Sequence, residues 1–340
     1  MSFKHLRAGR NSGRVLQLLL ALLILAVAFS ASIALGQISM PLSVVLNAFT
    51  AFDPGSTEHI IVTTTRLSRA LTALCVGSAL AVAGALMQAL TRNPLASPGI
   101  FGVNAGALFA IALSTTLFSV PSLQHYIWIA FAGAAVAGTL VYCLSALGRD
   151  GLTPVRTVLA GAAITALFVS FTQGLLVINQ EGLDSILFWL AGSVAGRSLD
   201  LVAPVAPCIL LAIIASMALG RHINVLMSGD EVAKGLGQRT GMLRFLMGVL
   251  IIGLAGAAVA IAGNIVFVGL IVPHMVRAWL GADYRWVLPG CAVLGAVLLL
   301  SADVAARFLI PPQEVPIGVI TALLGTPFFI YLARRGVQHA

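Results

Sequence analysis

The chain has 340 residues, of which 59% are apolar (Ala, Val, Ile, Leu, Met, Phe, Trp, Tyr, Cys) and 9% charged, with a mean hydropathy of +1.04. Soluble domains carry about 45–50% apolar and about 25% charged residues, so this composition excludes an ordinary soluble enzyme, a disordered chain and a nucleic-acid-binding module. At roughly 20 residues per bilayer-crossing helix, the apolar content fills on the order of ten spans. The formal net charge of +8 then becomes a question of which side of the bilayer holds the cations.

Residues 1–14 form a basic tail containing Lys4, Arg7, Arg10 and Arg14, ahead of an apolar run from Val15 to about Leu35. That run is long enough to span, so it reads as a first helix rather than a cleaved signal peptide. Further runs at about 67–90, 100–118, 125–147, 155–178, 200–220, 243–262, 264–280, 287–305 and 316–333 bring the number to ten. All are too long and too rich in Leu, Ala, Val and Gly for barrel strands. The stretch at 186–193 is too short to cross and reads as a broken or interfacial helix. An inside N-terminus puts fifteen of the 19 lysines and arginines on the inner side and leaves Arg66, Arg69, Arg197 and Arg307 outside. Such an inner excess is the positive-inside pattern. The expected fold is an all-α polytopic membrane protein with ten transmembrane helices and both termini cytoplasmic. Residues 15–335 form one domain between the tails 1–14 and 336–340, with an outer segment at 37–62 and an inner one at 221–244.

In the outer segment, Pro41 suits a first helical position and Leu42, Val45, Leu46 and Phe49 fall on one face, which predicts a short amphipathic helix on the membrane surface. Cys75, Cys143, Cys208 and Cys291 are scattered through apolar runs without a C-x-x-C pair, and read as buried core residues rather than metal or disulfide sites.

Several chemistries are missing. Neither lysine, Lys4 or Lys234, follows G-x-x-x-x-G-K-[ST], so the chain has no phosphate-cradling loop for ATP. Acidic residues are nearly absent from the spans, against an ion-coupled transporter. Asp303 is the nearest candidate, and Arg307 one turn later predicts a local ion pair. No paired aspartates, Ser–base set or H-E-x-x-H supports a membrane-embedded enzyme, and His274 reads as a packing or capping histidine.

Three constellations remain. Ser228 and Glu231 form an S-x-x-E capping box, Asp230 and Glu231 sit at the positive end of the helix dipole, and Gly237 suits a left-handed stop. They predict a short inner helix exposing Val232, Ala233 and Leu236. It is either a plain connector or an element that packs on a partner, since so short a helix is marginal alone. The second constellation, Thr91 to Gly106, breaks regular structure with Pro94 and Pro98 at an inner helix boundary, either as a tight turn or to let backbones approach closely. The third is Arg66, Arg69 and Arg307 at outer helix ends, either a docking surface for an acidic partner or interfacial lipid anchors.

The order Arg66-Leu67-Ser68-Arg69, Thr91-Arg92-Asn93-Pro94-Leu95-Ala96-Ser97-Pro98-Gly99, Gly229-Asp230-Glu231, Phe267-Val268-Gly269-Leu270-Ile271-Val272-Pro273-His274, Ala302-Asp303-Val304-Ala305-Ala306-Arg307 and Gly325-Thr326-Pro327-Phe328-Phe329 resembles the permease subunits of ATP-binding-cassette importers for ferric siderophores, haem and cobalamin. The resemblance covers about residues 36–335. It implies a lipid-embedded permease of the bacterial inner membrane that pairs with a second copy or a related permease. Two cytoplasmic ATPase subunits would hold the ATP and Mg, and this chain would bind no cofactor, metal or nucleic acid. A periplasmic binding protein would deliver the cargo, a ferric siderophore, with haem or cobalamin as alternatives. By resemblance, Arg66, Arg69 and Arg307 engage glutamates of the binding protein. The segment containing Ser228, Asp230, Glu231, Val232, Ala233, Leu236 and Gly237 couples to the ATPase, and Asn93, Pro94 and Leu95 form an inner gate. A second gate matches Thr153, Pro154 and Val155, where the cobalamin relative carries small hydroxyl residues.

Overall fold

A computed structural model describes residues 3–117, 123–147, 153–178, 189–311 and 313–337. Residues 148–152, expected in an inner loop, residues 186–188 of the short apolar stretch and residues 338–340 of the terminal tail lie outside the described residues. Helices dominate: α1 (Phe3–Ala34), α2 (Leu42–Thr50), α3 (Leu67–Thr91), α4 (Val103–Leu117), α5 (Leu123–Ala146), α6 (Pro154–Ile178), α7 (Ala206–Ala218), α8 (Gly220–Met227), α9 (Asp230–Gly235), α10 (Thr240–Ala262), α11 (Val268–Leu280), α12 (Tyr284–Phe308) and α13 (Ile317–Val337).

Each of the ten apolar runs carries a helix, but their lengths differ. Among the described residues six helices are long and apolar enough to cross a bilayer: Ser12–Ala34, Thr57–Thr91, Gln124–Ala146, Val155–Ile178, Thr240–Ala262 and Tyr284–Phe308. The span of α3 is lengthened at its N-terminus by a helical turn at Thr57–Ile60 and a π-helical turn at Ile61–Arg66. α7 and α8 make a pair bent by 49°. Val103–Leu117, Val268–Leu280 and Ile317–Leu332 are shorter apolar helices. α11, at 13 residues, reaches roughly 20 Å at 1.5 Å per residue, short of an apolar layer about 30 Å thick.

α3 is the hub, buried along most of its length and packed against α12, α10 and α11. Lipid tails are as apolar as Leu, so packing rather than hydrophobic transfer must join these helices, and small residues let backbones close in. A Cβ on Gly84 would fall 1.9 Å from the carbonyl oxygen of Gly269, and one on Gly77 2.3 Å from that of Gly295, so the α3–α11 and α3–α12 crossings require glycine. α1 lies at the periphery against α12, with Leu16, Leu19, Leu23 and Val27 turned outward.

Several local expectations are corrected. α2 forms, but Pro41 is its N-cap rather than its first helical residue, and Val45 and Ala48 pack inward while Leu42, Leu46 and Phe49 face away from the protein. Cys291 is buried, but Cys143 and Cys208 are exposed on outward helix faces. Among the described residues no group of His, Cys, Asp or Glu gathers to hold a metal.

Candidate functional site

The first cluster joins the end of α1, the start of α3 and the end of α12. The last carbonyls of a helix lack intrahelical partners and carry the negative end of its dipole. Two guanidiniums close this end of α1. Arg66, the last residue of the π-turn, donates through Nη1 to the carbonyls of Ile33 (3.0 Å) and Ala34 (2.7 Å) and through Nη2 to that of Ile38 (2.5 Å). Arg307 donates through Nη1 to Ser32 O (2.7 Å) and Leu35 O (2.6 Å), and through Nη2 to Ser32 Oγ (3.0 Å). The expected Asp303–Arg307 pair is present one turn apart. The same buried carboxylate also takes Arg69, whose Nε lies 2.8 Å from Oδ1 and whose Nη2 lies 2.8 Å from that oxygen. Arg69 Nη1 reaches Glu314 Oε2 at 2.6 Å. The three arginines are therefore brought together, as a buried network: Arg66 is 5% and Arg307 2% exposed.

The second cluster lies at the opposite end of α3. α3 stops at Arg92, which adopts a left-handed conformation (φ 48°) and leads into Asn93. The Asn93 side chain accepts from Leu95 N–H (2.9 Å), folding Asn93-Pro94-Leu95 into a tight turn with Pro94 exposed. Arg92 Nη2 donates to the carbonyl of Leu226 (3.1 Å) and to Asp230 Oδ1 (2.5 Å), while Arg244 Nη2 holds Asp230 Oδ2 (2.5 Å). One carboxylate thus ties α9 to the turn after α3 and to α10. Partial burial pushes the Asp230 pKa up, but Arg244 and Arg92 outweigh it and hold the carboxyl below its usual range.

The capping box does not form. α9 begins at Asp230 with Gly229 (φ 117°) as N-cap, and Ser228 instead ends α8, donating to the carbonyl of Asn224 at 3.4 Å. The turn at Gly229 carries the Ser228 hydroxyl away from the α9 amides. Val232 and Leu236 are exposed as expected, whereas Ala233 is fully buried. Gly237 (φ 78°) makes the left-handed stop: Gln238 N–H bonds Ala233 O (2.9 Å) and Gly237 N–H bonds Lys234 O (2.9 Å), the 6→1 and 5→2 pair of a Schellman ending. At the head of α6, Thr153 caps the first turn by accepting from Arg156 N–H (3.4 Å) and Thr157 N–H (3.1 Å), and Val155 is exposed.

A third feature escaped the sequence reading. Between α10 and α11 the chain runs non-helically through residues 263–267, with Gly263 and Phe267 both at positive φ. Its backbone and the end of α10 are bonded to the 189–193 segment, Asn264 N–H to Trp189 O (2.9 Å) and Ser193 N–H to Ala262 O (2.8 Å), and that segment is bonded in turn to the start of α13 by Gly318 N–H to Gly192 O (3.1 Å). Asn104 of α4 donates to Asn264 Oδ1 (2.5 Å). Beside this break opens a cleft of about 550 Å³ whose lining includes Leu190, Asn264, Val266, Gly318, Thr326 and Pro327. Irregular backbone persists within a membrane only where protein buries it or it borders an aqueous cavity. The Gly263-Asn264 pair between two apolar runs was the available signal.

Helices long and apolar enough to cross a membrane, with a helix break beside a cleft, fit the class of membrane transport proteins. The family model described as the FecCD transport family matches residues 22–335, and the chain belongs to that family. It is 52% identical over 97% of its length to the "Probable siderophore transport system permease protein YfiZ" of Bacillus subtilis, covering 98% of that protein. It is 43% identical to the Fe(3+)-citrate import system permease protein YfmD of the same organism, over 98% of both chains. Among solved structures, it matches a metal-chelate type ABC transporter captured in an inward-facing conformation with a TM-score of 0.79 and 31% identity, covering 94% of this chain and 98% of that one.

Proposed function

We propose that this permease moves a ferric siderophore across the bacterial inner membrane, with ten spans and both termini in the cytoplasm. The single observation that carries the cargo is the relative named for siderophore transport, at 52% identity over nearly the full length. A second copy or a related permease would complete the pathway, and two ATPase subunits would supply ATP and Mg, since no phosphate-cradling motif is present. α9 would seat on an ATPase through exposed Val232 and Leu236, and the Asn93-Pro94-Leu95 turn, tied to α9 by Asp230, would act as the inner gate. Thr153, Pro154 and Val155 would stand at a second gate. The end of α3 that carries Arg66 and Arg69 would face the periplasm and receive the binding protein.

The test is uptake of 55Fe carried by hydroxamate, catecholate or citrate chelators, compared with haem, in cells expressing the permease with its ATPase and binding protein. ATPase-dependent uptake of a ferric chelate is expected. Uptake of haem alone would overturn the cargo, and flux that persists without the ATPase would overturn the ATP-driven reading.

A further inference from the structure

The outer arginines are not equivalent, and the difference assigns them separate work. Arg66 bonds three main-chain carbonyls around the end of α1, and Arg307 is committed to Ser32, Leu35 and Asp303. Drawing either toward a partner would uncap α1 and strand buried polar groups. Arg69 is built differently. Its Nε and Nη2 grip Asp303, which is fully buried, while Nη1 is held by Glu314. Glu314 has a side chain 32% exposed, lies on the non-helical stretch between α12 and α13, and makes no other bond among the described residues. The site's own occupant shows what chemistry it accepts: a carboxylate, approached from the protein surface.

We propose that Glu314 is a placeholder, displaced from Arg69 Nη1 by an acidic side chain of the docking binding protein, and that Arg69 is the docking arginine while Arg66 and Arg307 anchor α1. Exchange of one carboxylate for another leaves the Asp303–Arg69 bond and the local charge balance intact, so docking proceeds without opening the buried network. This rests on the outward placement and docking function proposed above.

The test uses the assembled importer in lipid nanodiscs and its binding protein, with association measured at low and high salt for Glu314→Gln, Arg69→Lys and the double variant. Gln keeps a hydrogen-bond acceptor for Arg69, and Lys keeps the charge beside Asp303 but loses the outward fork, so all three preserve the buried pair. Glu314→Gln is expected to speed association about three- to tenfold at low salt, because interfacial charge acts chiefly on the encounter rate, and to lose that gain as ionic strength rises. Arg69→Lys is expected to slow association, and adding Glu314→Gln to it should restore nothing. If Arg69→Lys slows association while Glu314→Gln has no effect, the placeholder is refuted and the docking reading stands. An equal gain from Glu314→Gln with and without Arg69→Lys would also refute it, since simple charge removal would then suffice. If no variant changes association, docking does not use Arg69 and both readings fall. As a separate arm, Arg66→Met should lower the unfolding temperature and leave association of the folded protein unchanged; slowed association instead would overturn the division of labour.

Discussion

Asp303 serves two guanidiniums at once from a position with no exposure to solvent. An isolated buried carboxylate is costly, and removing one partner from a buried ion pair costs about 3–5 kcal/mol because the remaining charges are left uncompensated. Asp303→Asn is therefore expected to destabilise the fold by that amount, seen as a lower unfolding midpoint in detergent with α1 the first element to become protease-sensitive. An unchanged midpoint would show that the network does not hold α1. Asp230 uses the same chemistry at the surface, where its worth is smaller. Its pKa in the folded chain lies below the ordinary 3.8. The bridge therefore stabilises fully above about pH 4, the unfolded value, and is lost only as pH falls through the depressed one. Assembly with the ATPase should thus show no transition attributable to this bridge between about pH 5 and pH 8; a titration within that range that Asp230→Asn removes would contradict this.

At the scale of elements, α9 is stopped by its Schellman ending and tied by Asp230 to the turn that follows α3. Leu236 is 71% exposed and bonds to neighbours only through its backbone, so Leu236→Asp should leave membrane insertion and the α9 ending intact while reducing co-purification with the ATPase several-fold. Wild-type stoichiometry with normal uptake would make α9 a plain connector. The α3–α11 crossing behaves oppositely, because it has no free volume: Gly84→Ala places a methyl 1.9 Å from a backbone oxygen. Overpacking of this kind costs roughly 1–3 kcal/mol or more, measurable as reduced yield of folded protein and a lowered unfolding midpoint. Gly241, with nothing within 4 Å of an added Cβ, is the matched control and should tolerate Ala.

For the whole molecule, the division between chain and partners gives a direct expectation. The purified permease, free of other subunits, should show no ATP hydrolysis above background. Turnover that survives stringent purification would mean that an ATP site exists outside any recognised motif. The six long helices and the shorter ones also differ in what they do. The long, buried α3 and α10 form the scaffold, whereas the break between α10 and α11 and the start of α13 border the cleft. The helix break beside the cleft keeps backbone hydrogen bonds to the 189–193 segment, and the scaffold keeps its helical ones.

The sequence by itself determined the membrane class, the ten apolar runs and their helical state, because composition and apolar run length act locally and the bilayer permits few solutions. It also yielded Asp303–Arg307, since residues four apart on a helix are neighbours whatever the fold, and the left-handed stop at Gly237, which a backbone conformation alone demands. Only the tertiary structure decided the rest. Arg69 meets Asp303 across 234 residues, Asn104 meets Asn264 across 160, and Arg92 meets Asp230 across 138, pairings set by which helices cross and where. The same packing turned Ala233 inward, moved Ser228 out of its cap and kept residues 263–267 out of a helix beside the cleft. These outcomes depend on the space and the carbonyls that distant segments bring, and local spacing carries no record of them.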